Sequence, residues 1–91
     1  MANRPSVPVT TSGTTKGSPV TVAGSGFEVN ETYKVFMTGP NGLVTETDGV
    51  ADTTESLSVS VSTPSIAGNY LFQVYCPRLT RVVSWAVTTL S

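Results

Sequence analysis

The chain has 91 residues, a net charge of −1, only 12% charged residues and no histidine. That length fits one domain with a modest core. Five scattered cations make no basic patch, so no nucleic-acid partner is expected, and no apolar run approaches the ~20 residues of a membrane helix. Without histidine the commonest general base and the commonest catalytic metal ligand are missing, so neither an enzyme nor a bound cofactor or metal is expected.

Threonine (15), valine (14) and serine (11) dominate the composition. β-Branched side chains lose rotamer freedom in a helix but pack well on a pleated surface, so strands are expected. Eight glycines and six prolines supply the turns. Cys76 is the single cysteine, so no intrachain disulfide forms and packing alone must hold the fold. The first residues lack the apolar segment of a secretory signal. With Met1 as a native start, a product that is not exported is expected.

Residues 1–18 read as an extended N-terminal arm and 19–91 as the folded domain. Pro5 and Pro8 have no amide to donate to a ladder, so the arm holds at most one short edge strand near residues 7–11. Regular patterning begins with a strand at 20–23, followed by Gly24-Ser25-Gly26-Phe27, a turn that returns an aromatic ring to the core. A strand at 33–38 runs into Gly39-Pro40-Asn41-Gly42, where proline presets φ and Asn-Gly tolerates positive φ, so residues 43–48 pair back as a hairpin. Residues 48–56 read as polar loop. Leu57, Val59 and Val61 alternate with Ser58, Ser60 and Ser62, the mark of a half-buried strand. A corner at 63–68 precedes a strand at 69–75, Cys76-Pro77 turns the chain, and the last strand covers 81–89. About seven short strands with no helical periodicity specify a sandwich or small barrel.

Three stretches resemble bacterial and bacteriophage immunoglobulin-like (Big-type) domains: Val20-Thr21-Val22-Ala23-Gly24-Ser25-Gly26-Phe27, the hairpin Thr38-Gly39-Pro40-Asn41-Gly42, and Ala67-Gly68-Asn69-Tyr70. The resemblance covers about residues 19–88. It implies an all-β, immunoglobulin-like sandwich of about seven antiparallel strands with no disulfide. It also implies a tyrosine corner at Tyr70, whose hydroxyl would bond back to the preceding turn. The chain departs from antibody domains in lacking the paired cysteines and a tryptophan on the third strand. Its Trp85 falls on the last one.

Alternation nominates a core of Val20, Val22, Phe27, Tyr33, Val35, Met37, Leu57, Val59, Val61, Tyr70, Phe72 and Val74, extended through Val83, Trp85 and Val87. The opposite parity then places Phe36, Leu71, Tyr75 and Val82 together on an outer face, with Lys34 and Arg81 at its rim. Such a patch reads as an interaction site or as scattered surface apolar residues. Arg4, Pro5 and Val7 complete the candidate partner-binding residues if the arm is a strap rather than a frayed end.

Other features carry blander expectations. Cys76 has no histidine to activate it and reads as a partly shielded, inert thiol in a loop. Glu46, Asp48, Asp52 and Glu55 match no calcium-loop spacing and read as a solvated loop. Asn30-Glu31-Thr32 fits a glycosylation sequon by chance.

Short stand-alone domains of the resembling group occur as decoration proteins on phage capsids. The resemblance therefore implies a non-enzymatic virion protein, assembled in the host cytoplasm and attached to a capsid or other virion protein, with a homo-oligomer such as a trimer in view. The alternative is a spacer or glycan-binding module of a secreted bacterial adhesin or carbohydrate-active enzyme, at the bacterial surface.

Overall fold

The computed structural model describes residues 9–91, so Arg4, Pro5 and Val7 lie outside the described residues. Seven strands follow in chain order: β1 (Val9–Ser12), β2 (Val20–Ser25), β3 (Thr32–Thr38), β4 (Val44–Val50), β5 (Ser56–Val61), β6 (Gly68–Cys76) and β7 (Arg81–Leu90). They form two antiparallel sheets, β1-β2-β5 and β4-β3-β6-β7. This is the expected immunoglobulin-like sandwich, with the third, sixth and seventh strands sharing a sheet.

The Gly39–Gly42 turn decides which sheet receives β4. The Gly42 amide bonds the Gly39 carbonyl at 3.0 Å, the Gly39 amide bonds the Leu43 carbonyl at 3.0 Å, and Gly42 takes φ 85°. Such a tight turn leaves β4 no partner but β3, pairing Thr38 with Val44 through Thr32 with Val50. The strand runs two residues further than the sequence suggested, into what read as polar loop.

The core lies where the two inner faces meet. Val20, Val22, Leu57, Val59 and Val61 from one sheet interleave with Tyr33, Val35, Met37, Tyr70, Phe72 and Val74 from the other, all buried. Phe27 enters from the turn after β2 and meets Tyr33 edge-on, with ring centroids 5.0 Å apart at 73°. The Tyr33 hydroxyl accepts the Glu28 amide at 3.0 Å, and burial raises its pKa above the usual phenol value. Tyr70 is fully buried and its hydroxyl donates to the Ile66 carbonyl at 2.5 Å, which makes the expected tyrosine corner.

The last strand departs from expectation. Val74 pairs with Ser84 and Tyr75 with Val82, so Val83 is an extra residue, a β-bulge. The extra residue lets Val83 and Ser84 both point inward and reverses the parity of everything after them. Trp85 and Val87, expected in the core, are instead 63% and 56% exposed, and Leu90 takes a core place. Cys76 is also corrected: it ends β6 fully buried in the core rather than lying half-shielded in a loop.

Within the segment expected as an arm, the described residues run along the sandwich. β1 pairs with β2 from Val9–Gly24 to Ser12–Thr21, and Val9 packs against the core. The Gly17 amide bonds the Pro64 carbonyl at 2.9 Å, Thr63 Oγ1 donates to the Ser18 carbonyl at 2.7 Å, and the Ser91 amide bonds the Thr14 carbonyl at 2.9 Å.

Two substitutions test this packing. A Cβ on Gly49 would overlap Val59 Cγ2 and sit 3.3 Å from Leu57 Cδ1, so Gly49→Ala is expected to cost about 1–3 kcal/mol by overpacking. Tyr70→Phe removes one hydroxyl bond and is expected to cost about 0.5–1.5 kcal/mol. Urea unfolding of each variant measures both, and an unchanged midpoint for either refutes the corresponding contact.

Candidate binding face

Three cross-strand rows define the outer face of the four-stranded sheet. They are Asp48–Lys34–Tyr75–Val82, Glu46–Phe36–Gln73–Trp85 and Val44–Thr38–Leu71–Val87. Residues directly opposite on neighbouring strands project to the same side of a sheet, so each row is one line of adjacent side chains. The structure therefore brings Phe36, Leu71, Tyr75 and Val82 together, as alternation proposed. It adds three the sequence did not nominate there: Val44, Trp85 and Val87.

The centre of the face is aromatic. Phe36 and Tyr75 meet edge to face at 5.8 Å and 71°, which holds both rings half-buried. Trp85 stands two strands from Phe36, about 9.5 Å away by strand spacing, with the Gln73 amide between them. Val44, Val82 and Val87 are exposed around this centre and Leu71 is half-buried.

Charge is confined to one edge. Lys34 Nζ lies 3.0 Å from both Glu46 Oε2 and Asp48 Oδ1, and these bonds, Glu46 first, hold its pKa above the usual lysine value. Arg81 is not part of this face by register. It pairs with Cys76, whose side chain points into the core.

The acidic run does not converge. Glu46 and Asp48 are engaged by Lys34 on β4. Asp52 Oδ1 accepts the Thr54 amide at 2.8 Å, the Thr54 hydroxyl at 2.7 Å and the Ser56 amide at 3.0 Å, closing the turn before β5. Among the described residues no group of three or more His, Cys, Asp or Glu is placed to hold a metal ion.

Only the bulge hid Trp85 from the sequence. Simple alternation from Val83 sends Trp85 and Val87 inward, and the clue lay in Leu90, a large apolar residue on the opposite parity. One extra residue between Val82 and Trp85 reconciles the two.

No family model matches the chain, and no curated protein does. Among solved structures, the chain is similar to part of chitinase ChiW from Paenibacillus sp. str. FPU-7, described as a bacterial cell-surface-expressed multi-modular enzyme machinery. The superposition has a TM-score of 0.66 at 11% identity and covers 98% of this chain but 8% of that one. At that identity the likeness speaks to fold, and the fold is an all-β sandwich.

The Asp52 turn yields a pH prediction. The Thr54 hydroxyl, then the Ser56 and Thr54 amides, hold the Asp52 carboxyl below its ordinary value of 3.8. A depressed folded-state pKa contributes stability above the unfolded value and loses it as pH falls through the folded one. Asp52→Asn is therefore expected to flatten the fall in stability between neutral pH and about pH 3, measured by urea unfolding. An acid limb as steep as the parent's refutes this.

Proposed function

We propose that the protein is a non-enzymatic attachment module and that the outer face of β4-β3-β6-β7 is its contact surface. One observation carries the reading. Trp85, Phe36 and Tyr75 share one side of a sheet with Val44, Leu71, Val82 and Val87, and Trp85 is 63% exposed. A sandwich that needed this tryptophan for stability would bury it. Exposed contiguous apolar surface instead marks contact sites, and aromatic anchors carry most of the energy in such contacts.

The setting proposed is the surface of an assembled particle, a virion whose capsid or accessory protein receives the face. Two features support a protein partner. The aromatic centre is ringed by aliphatic side chains, which match another apolar protein surface, and the lone cation on the face is already neutralised by Glu46 and Asp48.

A second reading is favoured by the row Phe36–Gln73–Trp85. Two rings separated by two strand spacings, with an amide between them, form a platform on which the apolar faces of linked sugar rings could stack. On this reading the chain is a glycan-contacting module of a secreted or surface protein. The structural likeness to a small part of a multi-modular chitinase is compatible with it.

One experiment separates the two. The purified chain is cosedimented with assembled virions and, in parallel, with insoluble chitin and cellulose. Binding to particles supports the first reading and binding to polysaccharide the second. Trp85→Ala is expected to weaken the productive contact by about 2 kcal/mol, roughly 30-fold, while shifting stability by no more than about 0.5 kcal/mol. Undiminished binding by that variant removes this face as the contact surface.

A further inference from the structure

We infer that β7 is a self-pairing edge, and that two copies of this chain join antiparallel along it. The inference is independent of what the outer face contacts.

The argument starts from what protects a sheet edge. A terminal strand presents a row of backbone donors and acceptors to solvent, and natural edges are blunted by shortness, charge, proline or bulges. The sandwich has four such edges, β1, β5, β4 and β7. β1 is four residues long. β5 is six residues long and is followed by Thr63-Pro64. β4 carries Glu46 and Asp48, which would meet their own copies across a two-fold axis.

β7 has none of these devices over most of its length. It is the longest strand, ten residues, with no proline and no charge after Arg81. Its bulge at Val83 lies near its start and leaves residues 84–90 uninterrupted. The bonds joining Ser91 to Thr14 and Lys16 hold only its extreme end. Residues 84–90 of two copies can therefore lie antiparallel with no like charges opposed in any register.

Two features make a second copy the occupant. A two-fold pairing is self-complementary by construction, since each strand offers the other the same groups. The charge pattern along β7 permits that apposition, whereas β4 forbids it. The other strand within reach is the chain's own residues 1–8, but Pro5 and Pro8 remove ladder donors from that segment. The pairing would merge two four-stranded sheets into one of eight strands (4 + 4). It would also place two Trp85–Val87 patches side by side on one continuous outer face.

Sedimentation velocity on the full chain, over a wide concentration range, tests this by charge exchange at Val87, an exposed β7 position. The parent is expected to dimerise. Val87→Lys and Val87→Glu alone are each expected to weaken association about tenfold or more, because like charges then face each other near the axis. Mixing the two variants is expected to restore the dimer as a heterodimer. Thr89→Lys and Thr89→Glu serve as a second pair should either Val87 variant lose its circular dichroism spectrum. A parent that stays monomeric at every concentration, variants that dimerise as well as the parent, or a mixture that gains nothing would each overturn the inference. A monomeric parent that dimerises once residues 2–8 are deleted would also overturn it and assign the edge to the N-terminal segment.

Discussion

A pleated strand can send one side chain in two to the core, and every surface of this protein follows from that constraint. With 91 residues, no disulfide and few charges, the domain has apolar interleaving as its main source of cohesion. Val20, Val22, Leu57, Val59 and Val61 must therefore all point one way, and Val35, Met37, Phe72 and Val74 the other. Once those parities are set, the remaining side chains have no choice of face. A slip of one residue in any pairing would turn a strand inside out, which is why register is so strongly specified here.

The two outer faces that result differ in chemistry. On β1-β2-β5 the outward rows pair Thr21 with Ser60 and Ser12, and Ala23 with Ser58 and Thr10. Small hydroxyl side chains solvate that sheet without charge. The outward rows of β4-β3-β6-β7 carry valines, leucine and three aromatic rings. A chain with so little charge has little electrostatic defence against association, so an apolar face and an unguarded edge on the same sheet have consequences beyond folding. The asymmetry gives the sandwich a working side and a solvent side.

The bulge at Val83 links the fold to this asymmetry. Without it Trp85 and Val87 would sit between the sheets, where Tyr70 and Phe72 already fill the space on the neighbouring strand. With it the inner face of β7 receives Ser84, Ala86, Thr88 and Leu90, mostly small groups, while the large ring goes outside. An extra residue in one strand is a local event, but it transfers an indole from the interior to the surface on which the proposed contacts depend.

Much of this was legible in the sequence because it is local. Alternation in Leu57–Val61, the Gly39–Gly42 turn and the Ala67-Gly68-Asn69-Tyr70 corner each fix a strand or a turn within a few residues, and each appears where its pattern placed it. The same alternation grouped Phe36, Leu71, Tyr75 and Val82 correctly. Trp85 and Val87 were not legible, since a strand's parity past a bulge is set by its partner's register and by the space left between the sheets. Cys76 was misread for a related reason, as its burial depends on sheet closure rather than on the proline that follows it. By itself, then, the sequence determined the strands, the turns and most of the core, because a period of two is written along the chain. Tertiary structure alone decided which side of the last strand faces water, because that depends on how two sheets share one interior.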